Sequence, residues 1–252
     1  FARGMIESLA QKPKATHVLL MDDDVLVLPE SIRRTYNLLK LLKPEYRNSL
    51  ISGAMLYYEK PGYQHEDIGT ISDDCKYQPL KKKLKLSDIS ADLENEKNYT
   101  QHKNAYAAWW YCCIPTNQIE KHGLPLPMFI RVDDMEYSRR LNLPIITMNG
   151  ICIWHMGFVT KYNAAFDYYQ QYRNWLVAQS TTGVIQSVAI IPAIYDSFRS
   201  EIMQFNYNAA QLIIEAIEDF MRGPKFLEGA NGEKIVQEHF KLNDKLVPLS
   251  EL

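Results

Sequence analysis

"HVLLMDDDVLVLPESI", residues 17–32, is the stretch whose reading decides the fold. The apolar run "THVLLM" has the length and composition of a buried strand, and it stops abruptly at Asp22, Asp23 and Asp24. A second apolar patch follows. Pro29 then opens "PESIRRTYNLLKLLK", with proline at a first-turn position and Ile32, Tyr36 and Leu39 at helical spacing. Strand, acidic tip and helix in succession describe an α/β unit, and the end of a buried strand is where an open α/β sheet gathers its ligands.

Three adjacent carboxylates repel one another at neutral pH, so their placement at a strand tip needs a reason. Alternate residues of an extended segment face the same way, so Asp22 and Asp24 can present two carboxylates to one point. Hard oxygen ligands suit Mg²⁺ or Mn²⁺, which keep positions open for phosphate oxygens, and a divalent ion removes the repulsion. The plainer reading is a solvated turn in which one Asp caps the next helix. Pro29 and Glu30 come too late for the triplet to be that cap.

Outward from this stretch, "LISGAMLYY" reads as a second strand, and residues 60–104 as a long polar insertion with short strands. "AYAAWWYCCIP" reads as a third strand buried on both faces, which would point Trp109 and Trp110 in opposite directions. Thr116 is expected to cap a short helix, "NQIEKHG", closed by Gly123. "LPLPMFIRVDDMEYSRRLN" runs from a loop into a helix beginning near Asp133, and "LPIITMNGICIWH" is a strand or hairpin ending at His155. "AFDYYQQYRNWLVAQS" is expected to be an amphipathic helix. "MQFNYNAAQLIIEAIEDFMRG" and "NGEKIVQEHFKL" are helices beyond it. The fold class is therefore α/β, a mixed sheet flanked by helices over residues 1–180 and followed by a helical C-terminal region over 181–252.

Asp133 and Asp134 at a helix start can be ordinary N-terminal acids, favoured by the helix dipole, or a general base that takes a proton from an attacking hydroxyl. His155 can be a structural histidine or a third ligand, since imidazole nitrogen suits Mn²⁺. Of the tryptophan pair, at least one belongs to the core and the other can stack on a sugar.

With 252 residues, 46% of them hydrophobic, the chain can bury a sizeable core. Its 28 Lys+Arg against 30 Asp+Glu exclude a nucleic-acid sleeve. The cationic run "KKKLKLSD" at 81–88 reads as a solvated loop, with peripheral contact to a membrane surface or anionic lipid carrier as the second reading. Cys75, Cys112, Cys113 and Cys152 form no CxxC pair, which favours reduced thiols and a cytoplasmic setting. The best candidate for a membrane span, "GVIQSVAIIPAIY", is too short and contains Pro192. The chain starts at Phe1 in what reads as a helix in progress, so it is expected to be a fragment of a longer protein. Whether it forms a homo-oligomer is left open.

The order of these signals, DDD after a strand, then WW, then DD opening a helix, then WH after the next strand, resembles family 2 glycosyltransferases of the GT-A fold, in particular the galactofuranosyltransferase branch. "LLMDDDVLVLPESI" is similar to the family's metal-binding DXD segment. "IPTNQIEKHGLPLPMFIRVDDMEYSRRL" is similar to the stretch ending in its catalytic acidic pair. "GICIWHMGF" and "DYYQQYRNWL" resemble the branch's metal-binding histidine and the aromatic-Arg-Asn helix after it, and "MQFNYNAAQLIIEAIEDFMRGP" its helical C-terminal region.

The resemblance implies that Asp22, Asp24 and His155 hold Mn²⁺ or Mg²⁺, with Asp23 on the donor. It implies that Asp134 is the base with Asp133 beside it, and that Trp109 and Trp110 line the donor and acceptor pocket. "FARG" is similar to the end of a Gly-rich donor-binding segment, which makes Arg3 a diphosphate candidate. His65 falls where the branch has an active-site histidine, but the acidic residue that follows there is displaced, leaving no role assigned to Glu66 or Asp67. The implied partners are a UDP-sugar, with UDP-galactofuranose first, and a glycan or lipid-linked glycan acceptor of cell-wall polysaccharide synthesis at the inner face of the plasma membrane. The implied reaction is inverting transfer. The competing readings are another nucleotide sugar such as a rhamnosyl donor, a metal-dependent phosphohydrolase, and a non-catalytic carbohydrate-binding fragment.

Overall fold

The computed structural model describes residues 1–72, 76–81, 85–96, 104–158, 162–183 and 187–242. In chain order, α1 (Ala2–Leu9) precedes β1 (His17–Leu20), β2 (Leu26–Val27), α2 (Pro29–Leu41), β3 (Leu50–Ser52) and β4 (Ala54–Tyr57). Then come β5 (Lys60–Glu66), β6 (Gly69–Ile71), β7 (Tyr77–Pro79), α3 (Ile89–Asn95), β8 (Ala105–Tyr106), β9 (Cys112–Pro115) and α4 (Thr116–His122). α5 (Asp133–Leu141) leads to β10 (Ile145–Ile146) and β11 (Cys152–His155). A π-helical turn, Ala165–Gln170, runs into α6 (Gln171–Thr182), followed by α7 (Ser187–Met203), α8 (Tyr207–Met221), α9 (Pro224–Gly229) and α10 (Gly232–His239). The fold is mixed α/β with a helical C-terminal region, as the sequence implies.

The described strands form three sheets, ordered β1-β9-β3-β10, β2-β11-β4-β5 and β7-β6-β8. β3 and β10 run parallel, as do β4 and β11, while β9 and β2 are antiparallel to their neighbours. A mixed sheet of this kind is what βαβ crossovers with added antiparallel strands produce.

The chain divides into two compact units. The first contains Phe1–Ser72, Tyr77–Pro125 and Tyr137–Gly157; the second holds Leu126–Glu136 together with the described residues from Phe158 on. Inside the first unit, one apolar cluster gathers Met5, Leu20, Leu50, Ile114, Ile119 and Tyr137, and another gathers Ile51, Met55, Tyr111, Cys113 and Ile153. Inside the second, α6 and α8 bury Trp175, Leu176, Leu212 and Ile213.

Several local expectations need correction. "LISGAMLYY" is two strands, β3 and β4, in different sheets. Gly53 is the switch between them. A Cβ there would lie 2.5 Å from the Tyr111 ring, so only glycine lets the chain pass this close. "AYAAWWYCCIP" is strand only at its ends; Trp109 and Trp110 sit in a turn between β8 and β9, so they are not opposite faces of one strand. Thr116 is the first residue of α4 and not its cap, and its hydroxyl donates to the Ala15 carbonyl at 2.7 Å. Gly123, at φ +78°, closes that helix as expected.

On α2 the buried positions are Ser31 and Thr35, while Ile32 and Tyr36 are 44% and 57% exposed. Burial of these hydroxyls is tolerated because each is satisfied: Ser31 Oγ donates to the Cys152 carbonyl at 2.8 Å, and Thr35 Oγ1 bonds the Tyr111 hydroxyl at 2.7 Å. The 171–182 helix is not amphipathic, since Tyr172 through Ala178 are all buried. Lys81, the first lysine of the cationic run, is not solvated: it is buried against Asp67, with Nζ 2.5 Å from Oδ2. Cys112, Cys113 and Cys152 carry no disulfide; burial holds the Cys113 thiol at a pKa of about 12. Cys75 and, within the run, Lys82, Lys83 and Leu84 lie outside the described residues.

Candidate functional site

The acidic triplet occupies the crossing from β1 in one sheet to β2 in another. β2 pairs antiparallel with β11 at Leu26↔Trp154, so one further step along the ladder puts Val25 opposite His155. This register explains why Asp24 meets the histidine. The Nε2 of His155 lies 3.3 Å from Oδ1 of Asp24, and ligand atoms from Asp22, Asp24 and His155 all lie within 4.8 Å of one another. His155 is 5% exposed, whereas the Asp24 side chain is 55% exposed, so the imidazole is anchored and the carboxylate faces the approach side. The Nδ1 of His155 stands 2.5 Å from the Met156 carbonyl. A carbonyl cannot donate, so Nδ1 is the donor in that contact, and Nε2 is the ring nitrogen turned toward the carboxylates.

Two carboxylates and one imidazole held at Nδ1 make a donor set that fits Mn²⁺ well and Mg²⁺ less well, because nitrogen is the softer ligand. Asp23 lies in the same turn, exposed.

β11 also pairs parallel with β4, His155 opposite Tyr57, so the two side chains share a face of the sheet. The Tyr57 hydroxyl hydrogen-bonds Nδ1 of His65 at 2.8 Å, and burial together with the Glu59 carboxylate pushes its phenol pKa upward. His65 in turn meets Trp110 edge to face at 6.1 Å, and Trp110 Nε1 donates to the Gly53 carbonyl at 3.1 Å. Tyr57 has no signal in the linear sequence, because its place depends on which strand pairs with β11.

The remaining candidates are placed as follows. Trp109 is 4% exposed inside the first apolar cluster, against Phe1 at 4.8 Å and Tyr137 at 5.9 Å. Arg3, on α1, pairs with Glu7 at 2.6 Å at the surface. Asp67 is committed to Lys81 and to the Ile68 amide. Asp133 and Asp134 belong to the second compact unit and form the first turn of α5, where Asp134 Oδ1 accepts the Met135 amide at 2.7 Å. The two residues before them, Arg131 and Val132, have φ of 69° and 70°.

An α/β fold with a carboxylate–imidazole cluster at the ends of its strands is consistent with the α/β glycosyltransferases. The chain is 28% identical over 243 residues to the galactofuranosyltransferase GlfT2 of Mycolicibacterium smegmatis, an alignment that takes in 90% of this chain and 36% of that protein. It is 26% identical over 254 residues to the galactofuranosyltransferase GlfT2 of Mycobacterium tuberculosis, with 95% and 39% covered. The chain thus spans less than two-fifths of the length of the curated relatives it matches. The likeness is with glycosyltransferases and runs over nearly the whole chain. No protein-family model matches it. Among the described residues, no helix is long and apolar enough to cross a membrane.

Proposed function

We propose that this chain carries the catalytic centre of a metal-dependent, inverting glycosyltransferase. The donor is a nucleotide sugar, with UDP-galactofuranose the first choice, and the acceptor a hydroxyl of a glycan or lipid-linked glycan. The observation that carries the reading is the convergence of Asp22, Asp24 and His155, and the two GlfT2 relatives support the reaction class.

In this reading Asp22, Asp24 and His155 hold Mn²⁺ or Mg²⁺, which when bound offsets charge on the departing nucleoside diphosphate. The Met156 carbonyl, accepting from Nδ1, holds the His155 ring with Nε2 as the ligand atom. The Asp134 carboxylate accepts the proton of the acceptor hydroxyl as that oxygen attacks the anomeric carbon from the face opposite the leaving group. A single displacement of this kind needs no enzyme nucleophile and inverts the anomeric configuration. Arg3 is assigned to the donor diphosphate, Asp23 to the donor, and Trp110 with His65 to the acceptor, while Trp109, 4% exposed inside the apolar cluster, is left to packing.

The test is a panel of nucleotide sugars offered to the full-length protein with Mn²⁺ and a sugar acceptor, with products read by mass spectrometry. Galactofuranosyl product dependent on acceptor is expected. Transfer from a rhamnosyl donor alone would change the donor. Hydrolysis independent of acceptor would make the protein a phosphohydrolase, and no turnover with any donor would leave a binding role.

A further inference from the structure

Arg131 and Val132 raise a question that the chemistry of Asp133 and Asp134 does not answer. Both have left-handed backbone, at φ 69° and 70°, and neither is glycine. A β-branched residue such as Val132 in that region is an outlier, and two left-handed residues in succession persist only where the surroundings over-determine them. Such strain collects where a side chain must be aimed, and the next two residues are the acidic pair that opens α5.

The restraint comes from one side chain on α6. Asn174 is fully buried, and its Nδ2 donates to the Ile130 carbonyl and to the Arg131 carbonyl, both at 2.9 Å. Its Oδ1 accepts from Arg173 Nε at 3.2 Å and Arg173 Nη2 at 3.1 Å. The guanidinium can only donate, so the amide orientation is fixed: oxygen toward Arg173, nitrogen toward the turn. Arg173 is itself held by Gln170 Oε1 at 2.7 Å and the Tyr169 hydroxyl at 3.1 Å. The Arg131 side chain is tied separately to Asp167, Nη2 to Oδ1 at 2.7 Å. All of these groups lie in the second compact unit.

We infer that Asn174, with its amide locked by Arg173, is a positioning residue: it clamps the left-handed Arg131–Val132 turn and so aims the Asp134 carboxylate for proton transfer. This rests on the assignment of Asp134 as the base. The amide offers two donors in one plane to two successive carbonyls while accepting two N–H bonds, a pattern that a carboxylate or an aliphatic side chain cannot reproduce.

Asn174→Ala in the full-length protein tests it. Amide hydrogen exchange at 131–136 is expected to quicken at least about ten-fold, with α8 amides unchanged. Turnover is expected to fall about ten- to a hundred-fold, with the KM for the nucleotide sugar within about three-fold, because misaiming a base affects the chemical step more than donor binding. If this variant does not fold, Asn174→Ser, which retains one donor, should give intermediate values of both readouts. Unchanged exchange at 131–136 overturns the clamp. Faster exchange with normal kcat, in an enzyme that Asp134→Asn slows, overturns the positioning role. Near-normal turnover of Asp134→Asn instead removes Asp134 as the base, an outcome that the exchange measurement does not depend on.

Discussion

The Nε2 of His155 lies 3.3 Å from Oδ1 of Asp24, although the two residues are 131 positions apart in the chain. The antiparallel β2–β11 ladder brings them together, and Nδ1 of His155 donates to the Met156 carbonyl, so Nε2 is the ring nitrogen that faces the carboxylates. Mn²⁺ should therefore raise the melting temperature, since a ligand at about a hundred times its Kd adds about 2.7 kcal/mol. His155→Ala should abolish that rise. Thermal melts with and without Mn²⁺ check this, and an equal rise in the variant would place the ion elsewhere.

Asp24→Ala should abolish sugar transfer while leaving the metal-free melting temperature within a few degrees of the parent. Its carboxylate is more than half exposed and holds no core element together. Excess EDTA on the parent protein should have the same effect on activity, and full activity in EDTA would sink the metal reading.

Asp134→Asn keeps the size of the side chain and the oxygen that accepts the Met135 amide. Loss of a general base typically costs about a hundred- to ten-thousand-fold in rate, so turnover should fall by that much with donor affinity intact. If Asp134 only stabilises the start of α5, Asn serves almost as well and rate should barely change. Kinetics and calorimetry on one variant separate the two, and near-normal turnover would move the test to Asp133.

The strand–carboxylate–helix order of 17–41, the α5 start at Asp133 and the Gly123 closure of α4 were legible because each depends on neighbours in sequence: an apolar run, a proline, a capping glycine. The convergence of Asp22, Asp24 and His155 came from a resemblance, and only strand pairing gives its geometry. Three features were not legible for the same physical reason. The buried face of α2 is polar because Tyr111 and the Cys152 carbonyl satisfy its hydroxyls; Tyr57 stands beside His155 through parallel pairing; and Lys81 is buried because Asp67 is there to pair with it. Each depends on a partner distant in sequence, which no local pattern announces.

His17 gives a pH dependence with a definite sign. Burial lowers its pKa below 6.5, and among the described residues its Nε2 has no hydrogen-bond partner, so the folded state favours the neutral ring. The unfolded chain then binds the proton more readily. The stability from His17 is fully present above about 6.5 and is lost as pH falls through the folded value. His17→Gln should flatten the decline of melting temperature between about pH 7 and pH 5. An unchanged slope would show that other groups set it.

Gly53→Ala should destabilise the first unit and loosen Trp110 together with it. The new Cβ would meet the Tyr111 ring at 2.5 Å, and that ring is fully buried. The backbone would have to shift, and the Gly53 carbonyl, which accepts from Trp110 Nε1, would shift too. Overpacking of this kind costs about 1–3 kcal/mol. Chemical denaturation measures the loss, and a blue or red shift of tryptophan emission in the native baseline reports the ring. A variant as stable as the parent would mean that the close approach at Tyr111 is not there.

The last prediction concerns the Lys81–Asp67 pair. Both side chains are under 5% exposed, and Lys81 Nζ also donates to the Asn95 carbonyl at 2.5 Å and Thr147 Oγ1 at 3.0 Å. The ammonium thus ties the end of α3 to the loop before β11. Removing one partner of a buried pair strands the other charge, so Lys81→Met should cost about 3–5 kcal/mol. Replacing both, Lys81→Met with Asp67→Leu, removes the stranded carboxylate and should recover much of that loss, because an apolar pair of similar volume can match a buried ion pair. The Asn95 carbonyl and the Ile68 amide would still lose a partner, so recovery should be incomplete. If the single variant is nearly as stable as the parent, Lys81 is solvated after all, and the cationic run is the open loop that its composition suggests.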